Sequence, residues 1–265
     1  MEAPTITEIS RGSDSQRVLL FVRGYLSEGP RGRCRDREWL TVARRSGWRG
    51  DIYQFRWDAS ESAAIVARAL WAMTRFRGDW KLIAAGTVAS TVHHWLSVRR
   101  CAEETGKQYF VPYVERHFKG REVTVVAHSA GARLVFSGLL HAQEICKPVS
   151  DVIFLGAAVS RGHRKDWATV VSRINGVLLN LYNPYDWILT ILYRLGQLTT
   201  RDACGRYPIL LEHPKIHNYD VSRIVGKALS NHESYHEALP VAFSALKKAE
   251  TGVGTELSSN PLEIE

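Results

Sequence analysis

The chain has 265 residues, of which 45% are hydrophobic and 23% charged, and its formal net charge is +8. This composition is typical of a globular protein and excludes a disordered or collagen-like chain. The length fits one domain with a large core, and no uncharged window is long enough to span a membrane as a helix. Residues 1–16 are polar, so we expect a flexible lead-in there rather than a signal peptide.

Six strands are predicted along the chain from apolar runs bounded by turn residues. They cover residues 17–23, 50–57, 122–127, 151–155, 176–182 and, more weakly, 215–220. Helical patterns lie between or after them, at residues 36–46, 60–77, 80–98, 101–119, 130–145, 186–198 and, with a break, 222–248. Most of the strand runs are apolar without alternation, which is typical of strands covered on both faces. The alternation predicts an α/β fold with a reduced, mostly parallel sheet of about six strands covered by helices on both faces.

The domain organisation follows from the same patterns. Residues 17–250 are expected to form one domain, and the polar tail 251–265 is expected to be disordered. Residues 60–119 carry more apolar surface than one face of a sheet would need. Plain packing of helices on the sheet explains this surplus, and a lid or a membrane-touching face over an active site is the functional alternative.

Ser129 is the residue most suggestive of chemistry. An apolar run, 123–127, leads through His128 into Ser129, and a helix-forming stretch follows. This strand–turn–helix context is typical of a nucleophile elbow, in which a strained turn lifts a serine hydroxyl out of the backbone. The usual pattern is Gly-x-Ser-x-Gly, and Ala127 replaces the first glycine while Gly131 keeps the second. The alternative is an ordinary junction whose serine caps the helix.

A serine nucleophile needs a base and an acid, and the α/β-hydrolase fold brings them in the chain order Ser, Asp or Glu, His. Asp186 stands just after the 176–182 strand, where it can also cap the following helix, and Asp220 is the second choice. Among the later histidines, His232 follows the last strand by a turn and a short helix, and His236 is the second choice. The sequence therefore predicts a triad of Ser129, His232 and Asp186.

Backbone N–H groups are expected to hold the oxyanion of the reaction. Ala130 follows the nucleophile directly and supplies one of them. Gly24 allows the chain after the first strand to turn inward, so the second donor is predicted at Tyr25 or Leu26. His128, adjacent to the serine, is expected to pack beneath the elbow rather than act as the base.

The segment His232-Glu-Ser-Tyr-His236 also fits the zinc-protease pattern His-Glu-x-x-His. A zinc site needs a complete set of ligands, and the later carboxylates lie mostly in the loose tail. The four cysteines, Cys34, Cys101, Cys146 and Cys204, have no metal-ligand spacing. We therefore expect neither a metal nor a cofactor. The cysteines are expected to be free thiols, and the protein is expected to be cytoplasmic and at most peripheral to a membrane.

The chain, above all in its second half, resembles domain-of-unknown-function family 726, which consists of α/β-hydrolase-like proteins and includes a eukaryotic transmembrane and coiled-coil domain protein. The resemblance covers most of residues 18–245 and is carried best by the run from Asn180 to Arg194 and the run from Asn218 to Gly226. It implies a serine-hydrolase fold with Ser129, Asp186 and His232 at the matching positions. The family's Gly-His-x-x-Tyr element is similar to Asn231-His-Glu-Ser-Tyr235, which favours His232 over His236.

These observations predict a serine esterase, lipase-like in its substrates, that forms an acyl-enzyme. The expected substrate is a small-molecule or lipid ester, because the arginines of one loop (Arg31, Arg33, Arg35 and Arg37) and the surplus apolar helices suit an anionic amphiphile or membrane surface. The alternative is a catalytically silent module that binds a protein partner or a membrane surface. Nucleic-acid binding is not expected, since no aromatic platform or recognition helix accompanies the arginines. The oligomeric state stays open.

Overall fold

The computed structural model describes residues 3–24, 30–57, 85–190, 202–228 and 231–251, and at residues 30–36, 85–94 and 250 only the backbone. Seven strands form one sheet: β1 (Thr5–Ser10), β2 (Asp14–Val22), β3 (Gly50–Arg56), β4 (Glu122–His128), β5 (Val149–Leu155), β6 (Leu178–Tyr182) and β7 (Ile216–Asp220). Their order in the sheet is β1-β3-β2-β4-β5-β6-β7. β1 is antiparallel to β3, and all other neighbours are parallel.

The described helices are α1 (Pro30–Arg45), α2 (Ala85–Thr105), α3 (Val111–His117), α4 (Ala130–His141), α5 (Arg164–Ser172), α6 (Ser222–Val225) and α7 (Leu239–Thr251). A π-helical turn, Gly106–Phe110, joins α2 to α3 without a break. The side chains of β2 show why helices cover both faces of the sheet. Val18, Leu20 and Val22 pack with α2 to α5 on one face, and Leu19 and Phe21 pack with α1 and α7 on the other. The α/β fold with helices on both faces is confirmed.

The expectation of a flexible lead-in over residues 1–16 is wrong from Thr5 onward. Thr5–Ser10 forms β1, an edge strand whose residues pair with β3 from Thr5 opposite Arg56 to Ser10 opposite Ile52, and β2 begins at Asp14. The sheet therefore has seven strands rather than six. The segment is polar because an edge strand keeps much of its surface in water, so its low hydrophobicity did not reveal its pairing.

The predicted helices differ from the observed ones mainly at their ends. α1 begins at Pro30, so Arg31, Arg33, Arg35 and Arg37 lie in a helix and not in the expected loop. Residues 85–117 form one continuous helical run, where the sequence favoured two helices separated near Arg99 and Arg100. The last helical pattern is divided between α6, two 3-10 turns (Asn231–Glu233 and Tyr235–Ala238) and α7. The described part of the expected lid region covers the sheet, because Trp95, Phe110 and Val114 are buried in its core. Residues 58–84 and the tail 252–265 lie outside the described residues.

Candidate active site

The turn at Ser129 joins β4 to α4 and has the strained geometry expected of a nucleophile elbow. Ser129 has φ 55° and ψ −121°, and among the described residues it is the only one other than glycine with a positive φ. Its N–H donates to Leu155 O at 3.1 Å, and its carbonyl oxygen accepts from Ala158 N–H at 3.1 Å. These bonds to the segment around the end of β5 hold the strained conformation in place.

Two glycines allow the elbow to approach the end of β2. A Cβ on Gly131 would lie 2.1 Å from Val22 O, and one on Gly24 would lie 2.8 Å from the Ser129 Cβ and 3.0 Å from Ala130 N. Glycine is therefore required at both positions by close backbone contact. The backbone at Gly24 thus runs directly beside Ala130 N, where the first oxyanion donor is predicted.

The side chains of Ser129, His232 and Asp186 meet at the carboxyl edge of the sheet. Ser129 Oγ lies 2.8 Å from His232 Nε2, and His232 Nδ1 lies 2.7 Å from Asp186 Oδ2. Asp186 is fully buried, whereas His232 and Ser129 are each about 6% exposed. A carboxylate only accepts hydrogen bonds, so Nδ1 carries the imidazole proton and Nε2 is left to accept one from the serine hydroxyl.

Asp186 has two structural roles at once. Its Oδ1 accepts from Leu189 N–H at 3.0 Å and so caps the helical residues 187–190, while its Oδ2 faces His232. The second-choice acid, Asp220, is exposed and instead accepts from Ser222 N–H at 2.8 Å. Capping fixes the carboxylate rigidly, so its orientation toward the imidazole costs little additional entropy.

Tyr235 is a member of this site whose role the sequence did not indicate. Its hydroxyl lies 3.1 Å from Gly205 O and 3.3 Å from Asp186 Oδ2. Burial, and then the neighbouring carboxylate of Asp186, raise the pKa of Tyr235 well above its usual value, so it remains a hydrogen-bond donor. Its ring occupies the space beside Gly156, where an added Cβ would come within 2.5 Å of it.

Asparagines join the loops after β6 and β7 and so hold the acid and the base together. Asn183 Nδ2 donates to Gly226 O at 2.8 Å, and Asn231 Nδ2 donates to Tyr185 O at 2.9 Å. Sequence reasoning missed both residues. Their positions directly after a strand and directly before the chosen histidine were the available signals, because loops at the carboxyl edge carry most sites in such sheets.

The predicted oxyanion donors fall partly outside the described residues. Ala130 is buried at the first position of α4, where a backbone N–H has no partner within the helix. Tyr25 and Leu26 lie outside the described residues. Both assignments stay predictions.

The zinc-protease pattern is not arranged as such a site requires. Residues 231–238 form two 3-10 turns rather than an α-helix, so His232 and His236 do not share an α-helical face. Both ring nitrogens of His232 face Ser129 and Asp186, and His236 Nδ1 lies 3.3 Å from Glu233 O. In the part of the chain that the structure describes, no group of three or more His, Cys, Asp or Glu side chains could hold a metal ion.

A mostly parallel sheet with a strained serine turn after a central strand, and with Asp and His following in that order, defines an α/β-hydrolase-fold protein. The chain belongs to the family described as a protein of unknown function, DUF726, whose model matches residues 79–247.

Two relatives and one solved structure illustrate what the chain is similar to. An uncharacterized membrane protein of Caenorhabditis elegans is 34% identical over 149 residues, 55% of this chain and 23% of that protein. The transmembrane and coiled-coil domain-containing protein STS1 of Oryza sativa subsp. japonica is 25% identical over 221 residues, 72% of this chain and 32% of that protein. The solved structure is an α/β serine hydrolase without a lid from Xanthomonas campestris, with 11% identity, a TM-score of 0.39, and coverage of 97% of this chain and 90% of that chain.

The chain thus spans about a quarter to a third of the length of these two relatives. Both are named as membrane or transmembrane proteins. Within the described residues of this chain, no helix combines the length and the apolar character that crossing a bilayer requires.

Proposed function

We propose that the protein is a serine hydrolase that cleaves carboxylic esters, with Ser129 as nucleophile, His232 as general base and Asp186 as the residue that orients the imidazole. One observation supports this most strongly. An unbroken line of hydrogen bonds, 2.8 Å and then 2.7 Å, runs from the Ser129 hydroxyl through His232 to Asp186. Three residues distant in sequence meet this way at a buried, strained turn, which is the arrangement that serine acyl transfer uses.

The reaction follows from that arrangement. Ser129 Oγ attacks the ester carbonyl carbon while His232 Nε2 takes the hydroxyl proton, and the resulting oxyanion is held by Ala130 N–H and by an N–H of Tyr25 or Leu26. The tetrahedral intermediate collapses to an acyl-enzyme, and His232 returns its proton to the leaving alcohol. A water molecule, deprotonated by His232, then attacks the acyl group, and the carboxylic acid leaves as the serine hydroxyl is restored.

The test is covalent labelling with a fluorophosphonate probe, combined with hydrolysis of p-nitrophenyl esters of several chain lengths. We expect the parent chain to be labelled at Ser129 and to hydrolyse at least one ester, and Ser129→Ala to do neither. Ser172→Ala, at an exposed serine whose hydroxyl bonds Thr169 O, is the matched control and should behave like the parent. A parent chain that is neither labelled nor active would overturn the proposal in favour of a silent binding module.

We further propose that the ester is an amphiphile taken from an anionic lipid surface. Tyr185 and Trp187, on either side of Asp186, are 42% and 49% exposed, and Lys227 Nζ lies 4.5 Å from the centre of the Tyr185 ring. Exposed aromatic rings beside a cation are suited to the boundary between lipid headgroups and acyl chains. These residues lie after β6 and β7, at the same sheet edge as Ser129.

Vesicle sedimentation tests this substrate class. The parent chain should sediment with phosphatidylcholine vesicles containing phosphatidylserine and much less with phosphatidylcholine alone, and Trp187→Ser should lose most of that binding. Ile145→Ser is the control, since Ile145 is 47% exposed but precedes β5 at the opposite edge of the sheet. Equal loss in both variants, or binding without dependence on phosphatidylserine, would contradict the proposal.

A further inference from the structure

His128 links the strand of the nucleophile to the turn that carries the base. It is the last residue of β4, and its Nε2 lies 2.8 Å from the backbone carbonyl oxygen of His232. Because a carbonyl only accepts, His128 Nε2 carries the proton and donates it. The two imidazole rings are 4.8 Å apart between their centres. A single hydrogen bond thus spans 104 positions of sequence, directly between the neighbour of Ser129 and the backbone of His232.

The turn that contains His232 is short and depends on contacts with other elements. It is a 3-10 turn of three residues, Asn231–Glu233, which by itself is a weak structure. Asn231 joins this turn to the loop of Asp186, through Tyr185 O. His128 provides the corresponding contact on the side of the nucleophile, so the backbone of the base is tied to both of its partners.

The His128 ring is itself held in place and stays neutral. The rings of Trp39 and Tyr235 lie 5.8 Å and 5.7 Å from it, between centres. Burial, and then repulsion from the charge that His232 carries when protonated, lower the pKa of His128 well below its usual value. The proton removed from Ser129 therefore has one acceptor, His232, rather than two competing imidazoles.

We infer that His128 is a positioning residue, whose hydrogen bond to the His232 carbonyl keeps the base within reach of the Ser129 hydroxyl. The inference rests on the proposed serine-hydrolase function. Displacement of a catalytic group by about 1 Å can reduce a rate by about a hundredfold. The bond acts on the reacting geometry and not on the substrate pocket, so its loss should lower the rate of the covalent step and leave binding nearly unchanged.

The experiment compares His128→Ala with His128→Gln by the kinetics of fluorophosphonate labelling at Ser129. Alanine removes the donor, whereas a glutamine amide N–H extends about as far as Nε2 and can donate to the same carbonyl. We expect the maximal labelling rate of His128→Ala to fall by about tenfold to a hundredfold with an unchanged half-saturating probe concentration. His128→Gln should recover most of that rate. His217→Ala, at a half-buried histidine of β7, is the matched control and should label like the parent.

Each outcome has a definite meaning when thermal melting is measured in parallel. A His128→Ala chain that melts like the parent and labels at the parent rate overturns the inference but leaves the proposed function intact. The same conclusion follows if His128→Gln is as slow as His128→Ala, or if His128→Ala only weakens probe binding. If His128→Ala does not fold, the maximal labelling rate of the folded His128→Gln chain is compared with that of the parent. A loss as large as tenfold then overturns the inference. A parent chain without any labelling overturns the proposed function, and the inference with it.

Discussion

Ser129 occupies a backbone region that residues with a Cβ rarely adopt, and the cost of such a conformation is on the order of 1–3 kcal/mol. The surrounding elements offset this cost, because Leu155 O accepts from the Ser129 N–H, Ala158 N–H donates to the Ser129 carbonyl, and Gly24 and Gly131 leave room for the turn. Strain is therefore concentrated at the one residue whose hydroxyl has to project toward the base. This is the expected consequence of a sequence that places a serine where glycine would be easier to accommodate.

Asp186→Asn tests the orienting role of the acid at the scale of one residue. An amide can donate to His232 Nδ1, which favours the tautomer that carries its proton on Nε2 and cannot accept one from Ser129. We expect ester hydrolysis to fall by about ten-thousandfold, as amide replacements of such an acid do. Steady-state kinetics on a p-nitrophenyl ester measure the change.

Asp220→Asn is the matched control for that substitution. Asp220 also follows a strand at this edge, but it is exposed and bonds only locally to Ser222 N–H. Its replacement should leave the rate close to that of the parent. If both substitutions reduce the rate alike, or if Asp186→Asn stays active, the orienting role of Asp186 is wrong.

At the scale of elements, Gly131→Ala tests the packing of α4 against the end of β2. The added methyl group would lie 2.1 Å from Val22 O, so either the helix or the strand has to move. Such overpacking typically costs about 1–3 kcal/mol of unfolding free energy, and here it also displaces the elbow. We expect a lower midpoint in urea together with slower labelling of Ser129.

Gly162→Ala is the control for this substitution. Its added methyl group would contact only Leu210 Cδ1, at 3.9 Å, and Gly162 does not have the positive φ that would strain an alanine. It should unfold and label like the parent. A Gly131→Ala chain with unchanged stability and labelling would show that the contact between α4 and β2 does not constrain the site.

A second prediction at the scale of elements concerns Asp51 and the dependence of stability on pH. Burial opposes its charge, but the Gly12 N–H and the Arg121 guanidinium outweigh that effect, so the pKa of Asp51 lies below its usual value. The bonds measure 2.8 Å to Gly12 and 2.6 Å to Arg121, and they tie β3 to the β1–β2 turn and to the start of β4. A lowered folded pKa means that the carboxylate stabilises the chain fully above about pH 4 and loses this contribution as the pH falls further.

Asp51→Asn should therefore reduce the unfolding free energy by about 1.5–3 kcal/mol at pH 7, the range for hydrogen bonds to a charged group. The difference from the parent should shrink as the pH falls below about 4. Urea titrations at several pH values measure both effects, and Asp166→Asn, whose carboxylate is 43% exposed, serves as the control. A difference that is constant with pH would mean that the charge of Asp51 contributes nothing.

At the scale of the whole molecule, the buried thiols report whether the core opens. Cys146 and Cys204 are fully buried, and burial raises the pKa of each to about 12. Because the thiolate is the reactive form, both should resist iodoacetamide at pH 8 in the folded chain and react quickly in urea. Mass spectrometry of peptides after a timed pulse of iodoacetamide distinguishes these two cysteines from Cys101. Rapid alkylation of Cys204 without denaturant would contradict a closed core around the site.

Much of the sheet could be predicted because most of the buried parallel strands are apolar runs; six of the seven strands were predicted, with the edge strand β7 only weakly. The exception was β1, which is polar because it lies at an edge. Predicted helix ends were less accurate, since the π-turn at Gly106–Phe110 and the division of the last helical pattern depend on contacts with distant elements. A Cβ on Gly106, for example, would meet Leu134 O at 2.1 Å, a contact that local sequence does not reveal.

The amino-acid sequence by itself determined the class of the sheet, the serine turn and the order in which an acid and a histidine follow it, because these depend on local hydrophobicity, on turn chemistry and on chain direction. The sequence favoured His232 over His236 and Asp186 over Asp220, but only the tertiary structure shows that these side chains reach one another. It alone also shows that His128, Tyr235 and Asn231 bond to these residues or their loops. Those choices depend on contacts between loops up to about a hundred residues apart, which packing sets and local sequence patterns do not encode.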